Sequence, residues 1–252
     1  MGVRLKLGDA STRPRIALTR AIEDSTRSAE RLRRLGYAGV VAPATRIVAT
    51  RIEAPDGDWD AVVATSAKAF DQMSAGLREA IAELPLFVVG ARSAQGAAEL
   101  GLRLAEAPSI DASALAERLR ACLAPMSRVL YLAGRDRKSD LERALTAAGH
   151  RPTACEIYAA EARVAWSSRE VRAVATCDAA LHYSTRGAEL ALRLAEGAGI
   201  GDRFRALLHV CISEDAAASL RAASVARVCS AEWPEEDALL ATLARALRSA
   251  EQ

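Results

Sequence analysis

Small hydroxyl residues and single cations recur together along the chain: Thr65-Ser66 with Lys68, Gly90 with Arg92 and Ser93, Ser184-Thr185 with Arg186, and Ser213. Each group follows a short apolar run and precedes a helical stretch. Backbone N–H groups at a helix start, the helix dipole and a side-chain cation would then face one place, which suits a carboxylate or a phosphate. Arginine's planar fork favours the carboxylate. Taken singly, a Ser or Thr at such a turn only caps its helix. Four turns in corresponding positions point instead to an anion-lined cleft at the carboxyl ends of strands. Arg20, Arg135, Arg137 and Lys138 also follow strand ends within about five residues.

Groups for acid–base or nucleophilic work are scarce. His150, His182 and His209 stand alone, two of them in strand-like runs, and read as satisfied structural histidines. No Gly-x-Ser-x-Gly elbow, P-loop, His-x-x-x-His pair or Cys-x-x-Cys pair occurs, and Val89–Gly96 lacks the spacing of a dinucleotide fingerprint. Nicotinamide, P-loop nucleotide and metal-hydrolysis chemistry are therefore not expected, and neither is a structural zinc site. Tyr158, in Cys155-Glu-Ile-Tyr-Ala159, closes an extended segment from which its hydroxyl can serve as an acid, packing within the strand being the other reading. Tyr37 and Tyr131 read as packing residues, and Tyr183 precedes Ser184 in a strand. Arg27, Arg31, Arg33 and Arg34 share a helix with Glu23, Asp24 and Glu30, the pattern of a solvated face.

Positioning such turns requires alternating strands and helices, and the periodicity supplies them. Apolar runs at Ile16–Thr19, Val40–Ala42, Ala61–Ala64, Leu86–Val89, Val129–Leu132, Ala179–Tyr183, His209–Ile212 and Val225–Cys229 predict strands, several too apolar to have a solvated face. Helical spacing covers Thr26–Leu35, Ala69–Ile81, Ala94–Leu100, Ala112–Cys122, Lys138–Ala148, Ala188–Ala195, Ala216–Ala223 and Glu235–Arg248, with Ser25, Asp111 and Ser139 as caps.

The chain also nearly repeats itself, with four units recurring about 115 to 125 residues apart. Arg15–Arg20 and a helix ending Leu35-Gly36 resemble Arg128–Arg135 and a helix ending Ala148-Gly149. Asp60-Ala leading to Ser66 and Lys68 matches Asp178-Ala leading to Ser184 and Arg186 at identical spacing. Val88-Val-Gly90 parallels Cys211-Ile-Ser213, and Asp111 with Leu115 parallels Glu235 with Leu239. Two lobes of about 120 residues follow, and periodicity alone puts the cut near residue 125.

Composition agrees with this picture. The 252 residues are 51% hydrophobic and 26% charged, enough for one or two cores and too apolar for disorder. The 34 Lys and Arg against 32 Asp and Glu give a formal charge of +2, which provides no global field for nucleic acid, so any anion site is local. Only three cations are lysines, and Ala exceeds a fifth of the chain, pointing to helix packing through small residues. Five widely spaced cysteines suggest a reducing compartment. Met1–Pro14 lacks the apolar core of a signal peptide and reads as loose, and no apolar stretch approaches a membrane span. A cytoplasmic protein without nucleic-acid or membrane partners is expected.

In order, Ala17-Leu-Thr-Arg20, Val63-Ala-Thr-Ser-Ala-Lys68, Val88-Val-Gly90, Leu132-Ala-Gly-Arg135, Glu156-Ile-Tyr158 and Tyr183-Ser-Thr-Arg186 resemble the uroporphyrinogen-III synthase family, from about Arg15 to Arg248. The resemblance implies an α/β fold of two flavodoxin-like, three-layer lobes with parallel sheets. Two extended linker strands, near Pro43–Arg51 and Cys155–Arg163, would join residues 1–43 plus 163–252 to residues 44–162. It implies cyclisation of hydroxymethylbilane, a linear tetrapyrrole polycarboxylate, to uroporphyrinogen III with loss of water and inversion of ring D, without a cofactor. It also implies a monomer in transient contact with the upstream porphobilinogen deaminase. Carried over, Tyr158 would assist departure of the hydroxyl, and Ser66, Lys68, Gly90, Ser93, Ser184 and Thr185 would hold the substrate; the reading of the turns adds Arg20, Thr65, Arg135, Arg186 and Ser213 to the same task. The sequence departs from the family at Ile212-Ser-Glu-Asp-Ala216, where many relatives have Ile-Gly-Pro-Thr-Thr. Glu214 and Asp215 would repel carboxylates there unless they turn outward or pair with arginine. That turn keeps a non-catalytic or regulatory tetrapyrrole- or anion-binding relative as the alternative function, and an unrelated bilobal anion sensor as a third.

Overall fold

A computed structural model describes residues 13–50, 52, 55–137 and 139–249. Its first third runs β1 (Arg15–Leu18), α1 (Ile22–Arg34), β2 (Ala38–Val41), β3 (Thr45–Ala49), β4 (Ala61–Ala64), α2 (Lys68–Asp71), α3 (Ala75–Ile81) and β5 (Leu86–Val88). It continues with α4 (Ala91–Glu99), α5 (Ala112–Cys122), β6 (Arg128–Gly134), α6 (Asp140–Ala147) and β7 (Arg151–Ala162). The last third comprises α7 (Ser168–Ala175), β8 (Ala179–His182), α8 (Thr185–Gly197), α9 (Gly201–Arg205), β9 (Leu208–Cys211), α10 (Glu214–Ala222), β10 (Val228–Ser230) and α11 (Glu236–Ser249). Two compact units result, one from the chain up to Arg46 and from Ala162 onward, the other Ile47–Glu161. The cut that periodicity places near residue 125 thus falls inside the second unit.

In the first unit the strand order is β10-β9-β8-β1-β2, with β1 parallel to both β2 and β8. Chain order reverses at β1 and β8, which makes a switch point there. Alternate residues of each strand feed opposite cores. Ala180 joins a cluster with Trp166, Leu194, Phe204 and Leu220, while Ala179 and Leu181 join Leu32, Leu239 and Leu243. Helices α7 to α10 therefore cover one face and α1 with α11 the other, and the central strands β1, β8 and β9 are apolar on both sides because both are covered.

The second sheet has the order β3-β7-β6-β4-β5, and its switch point lies between β6 and β4. Val62, Ala64, Leu130 and Leu132 face Phe70, Leu77 and Ala97, whereas Val63, Val129, Tyr131 and Ala133 face Leu115, Leu119 and Leu145. The same fastening recurs in both units: Asp178 Oδ2 accepts from the Arg15 N–H at 2.8 Å and Asp60 Oδ2 from the Arg128 N–H at 2.7 Å. Gly36 and Gly149 both take φ of 88° after α1 and α6, a left-handed turn that glycine enters without steric cost.

Several local expectations are corrected. Ser25 is not a cap: α1 starts three residues earlier, and the buried Ser25 hydroxyl donates to the Arg20 carbonyl at 2.9 Å. Ser139 stands at the N-cap of α6 without a side-chain cap bond, whereas Asp111 does cap α5 by accepting from the Ala114 N–H at 2.8 Å. The helix expected over Ala69–Ile81 is broken, because Ser74 takes an extended backbone and caps a new helix through the Leu77 N–H at 3.1 Å. The strand expected from Val225 begins at Val228; Ser224, at φ of 63°, ends α10 and turns the chain first. Arg31 is not merely solvated: it pairs with Glu236 and Asp237 and ties α1 to α11. Helices α7 and α9 were not expected, although Ser167-Ser-Arg-Glu170 carries the capping-box spacing and forms that box.

Candidate functional site

In the second unit the parallel order β5-β4-β6-β7 sets the residues after Val88, after Ala64 and at Gly134 in a row along one sheet end. Thr65 Oγ1 and the Tyr131 hydroxyl lie 2.9 Å apart, and burial pushes Tyr131 upward, only partly offset by that bond. Ser66 Oγ accepts from the Lys68 N–H at 3.3 Å and closes the turn into α2, a four-residue helix without a side-chain cap. Gly90 is the N-cap of α4 at φ of 78° and offers no side-chain oxygen to the first turn. Its own N–H is used by the Ser109 carbonyl at 2.9 Å. Ser93 is 3% exposed inside α4, so its side chain does not line an open surface.

At β6 the Arg135 N–H donates to the Tyr158 carbonyl at 2.9 Å, and the Arg135 guanidinium, 57% exposed, lies 3.8 Å from Glu156. Arg137 is occupied: it reaches Glu142 at 2.9 Å, Glu156 at 2.8 Å and the Gly134 carbonyl at 3.1 Å. Lys138 lies outside the described residues. Tyr158 is half-buried on β7, its ring over Gly134. Among the described residues its hydroxyl has no hydrogen-bond partner.

The first unit sets Ser213, Ser184 and Arg20 in a row after β9, β8 and β1. Ser184 and Ser213 cap α8 and α10, accepting from the Gly187 and Ala216 N–H groups at 3.0 and 3.5 Å. Thr185 is half-buried in the first turn of α8, and Arg186 beside it is exposed. The Arg20 guanidinium sits 4.1 Å above the Tyr183 ring and 3.8 Å from Asp24. The Tyr183 hydroxyl donates to Glu236 at 2.7 Å and lies 3.0 Å from Ser28 Oγ. Burial drives Tyr183 above the ordinary tyrosine range; the Glu236 carboxyl, although burial opposes it, is held low by Ser28, Tyr183 and Arg31. The acidic turn is partly neutralised: Glu214 pairs with Arg221 and accepts from Ser230 Oγ at 2.8 Å, and these bonds lower its carboxyl.

The histidines are less satisfied than expected. His182 Nε2 and His209 Nδ1 lie 2.9 Å apart in a stacked, buried pair, leaving His182 Nδ1 without a partner. Both His150 nitrogens are likewise buried and unpartnered. Cys177 and Cys211 are pushed up to about 12 by burial, which removes them as nucleophiles at neutral pH. Sequence reasoning places Arg137 beside a strand end but misses its engagement, and it gives no role to Gly134, Glu156 or Glu236. Gly134 and Glu156 do carry a signal, their places in Leu132-Ala-Gly-Arg135 and Glu156-Ile-Tyr158.

The family model HEM4, uroporphyrinogen-III synthase HemD, matches residues 26–241. No curated protein matches the sequence. The crystal structure of uroporphyrinogen-III synthetase from Helicobacter pylori superposes with a TM-score of 0.58 at 15% identity, covering 94% of this chain and 100% of that one. At that identity the likeness shows the fold alone. A mutant uroporphyrinogen III synthase from Thermus thermophilus gives a TM-score of 0.42 at 17% identity, over 94% of this chain and 99% of that one.

Proposed function

The chain belongs to the uroporphyrinogen-III synthase family and cyclises hydroxymethylbilane to uroporphyrinogen III; from that premise we propose which residues do the work. Tyr158 donates the proton that lets the terminal hydroxyl of the bilane leave as water, generating the azafulvene. The substituted carbon of ring D attacks the electrophilic methylene of the azafulvene, and the resulting spiro intermediate fragments and recloses with ring D inverted. The observation that carries this assignment is the Tyr158 hydroxyl, which has no partner among the described residues, whereas Tyr131 and Tyr183 are engaged. A phenol already donated to a carboxylate cannot give the same proton to a substrate.

The substrate's acetate and propionate groups are held by the turns after the strands. Thr65, Ser66, Lys68, Gly90 and Arg135 serve in one unit, and Arg20, Ser184, Thr185, Arg186 and Ser213 in the other. Backbone donors at α4, α8 and α10 and the exposed Arg135 and Arg186 fit that task. Ser93 contributes through its place in the first turn of α4, its side chain being buried. Holding a flexible bilane in a ring-closing conformation is an orientational task that needs few acid–base groups, in keeping with their scarcity.

Each unit is read as a flavodoxin-like lobe, with linkers at 43–51 and 155–163. The protein is read as a cytoplasmic monomer in transient contact with porphobilinogen deaminase; among the described residues no helix is long and apolar enough to cross a membrane. The non-catalytic alternative rested on the acidic turn, and the pairing of Glu214 with Arg221 weakens it. In an assay fed by porphobilinogen deaminase, the protein should yield isomer III. Isomer I alone, the product of unassisted closure, would refute the proposal, and binding without turnover would favour the alternative.

A further inference from the structure

We propose that Gly134 is a positioning residue for Tyr158, an inference that rests on Tyr158 being the acid of the cyclisation. Strands β6 and β7 keep a one-to-one register from Arg128 and Arg151 to Ala133 and Glu156, and then slip, so that Gly134 faces Tyr158 and Ile157 is passed over. A bulge of this kind re-aims the side chain that follows it. Ile157 is buried with Leu130 and Leu132, while Tyr158 is left half-buried across the end of β6.

The ring occupies the space a side chain on Gly134 would need. A Cβ built there would come 2.6 Å from Tyr158 Cε2, 2.7 Å from Cζ and 3.0 Å from the hydroxyl oxygen. Gly134 is not among the glycines with positive φ, so backbone freedom does not account for it, and space does. The backbone on both sides is pinned. Arg135 donates to the Tyr158 carbonyl at 2.9 Å, and Arg137 bridges the Gly134 carbonyl at 3.1 Å and Glu156 at 2.8 Å. With the strands fixed, any side chain at position 134 must move the ring, and the hydroxyl with it.

The test compares Gly134→Ala, Tyr158→Phe and the double variant in the deaminase-fed assay, with kcat and KM for isomer III measured separately and folding followed by circular dichroism. Gly134→Ala should lower kcat on the order of tenfold or more, leave KM within about twofold, and add nothing to Tyr158→Phe. A merely structural role would lower the double variant further, and that additivity overturns the proposal. Should Gly134→Ala fail to fold, Tyr158→Ala in the same chain removes the ring atoms nearest the new methyl. Restored folding then supports the proposal and continued unfolding overturns it. Wild-type turnover by Tyr158→Phe would sink the acid assignment and the proposal together, whereas a slow Tyr158→Phe beside a fully active Gly134→Ala would sink the proposal alone.

Discussion

Four strands run in the same order in both sheets, β2-β1-β8-β9 in one unit and β7-β6-β4-β5 in the other, and the two are fastened alike by Asp178 and Asp60. Their carboxyl ends differ. After β8 stands Tyr183, whose hydroxyl is committed to Glu236 and whose face carries Arg20. The corresponding place after β4 holds Thr65, bonded to Tyr131. Both switch points are thus closed by a hydroxyl-bearing pair or network. The second unit adds one group the first lacks: β7 extends to twelve residues where its counterpart β2 has four, and the extension carries Tyr158. The shared scaffold fixes where the turns lie, and the lengthened strand carries a tyrosine whose hydroxyl is unengaged among the described residues.

The largest effect should come from exchanging the two tyrosines for phenylalanine. Tyr158→Phe is expected to lower turnover about 100-fold or more with little change in melting temperature, because the hydroxyl it removes bonds nothing in the described protein. Tyr183→Phe keeps the ring under Arg20 and should leave turnover within about twofold, while costing about 1 kcal/mol of stability through the lost bond to Glu236. Steady-state kinetics and thermal melts read both. A Tyr183→Phe slower than Tyr158→Phe would reverse the assignment of the two ends.

Acid should distinguish the units next. The His182–His209 pair lies wholly in the first unit; burial lowers His209 to about 4 and His182 well below its usual range, with His209 adding to the latter. A histidine depressed in the folded state leaves stability intact above about pH 6.5 and removes it as the unfolded chain takes up protons below that point. From pH 6.5 towards 4 the fold should lose stability progressively, because the unfolded chain takes up a proton that buried His209 does not. Glu170 acts in a lower window. Bonded first to Arg163, and with the Ser167 bonds assisting against burial, it falls to about 2, so its contribution is present above about pH 4.5 and disappears towards pH 2. Hydrogen exchange at pH 7 and 4.5 should show amides of the first unit losing protection, with His209→Gln flattening the change. An unchanged slope in that variant would remove the histidine pair as the cause.

The alternating layers are legible because the central strands of both sheets are buried on both faces, so apolar runs such as Ala61–Ala64 and Ala179–Leu181 stand out from their surroundings. The hydroxyl turns were legible too, since Ser184 and Ser213 mark helix starts. Two kinds of feature were not. Periodicity cannot tell which sheet a segment joins, so it misses that the chain leaves the first unit after Arg46 and re-enters at Ala162. Nor does composition tell a free cation or hydroxyl from an engaged one. Arg137, held by Glu142 and Glu156, reads in the sequence like the more exposed Arg135, and Tyr183, whose hydroxyl lies 2.7 Å from Glu236, reads like Tyr158.

Blocking the turns tests whether both units hold substrate. Ser66→Leu and Ser184→Leu should each raise KM about five- to tenfold with kcat little changed, because a bulky side chain would obstruct donors that bind the substrate equally before and during reaction. Ser184→Leu should also lose about 1 kcal/mol of stability with its cap bond to the Gly187 N–H. A KM shift confined to one variant would assign the carboxylates to that unit's turns.

The smallest effect is expected at the acidic turn, where the two units differ in charge. Glu214 and Asp215 open α10 after the Ser213 cap, whereas the counterpart α4 opens on Ala91 and Arg92 after Gly90. Arg221 neutralises Glu214, and with Ser230 it holds that carboxylate in place. Arg221→Ala should release a negative charge beside the Ser213 turn and raise KM about twofold at low ionic strength. The change should vanish near 0.5 M salt, because an exposed charge acts on another only within a few ångströms under those conditions. A KM indifferent to Arg221 at low salt would mean that no substrate carboxylate approaches α10, and the first unit would then bind through the turns after β1 and β8 alone. A KM that rises and stays high in salt would point to loss of the turn's shape, with Arg221 acting as a brace between Glu214 and the sheet edge at Ser230.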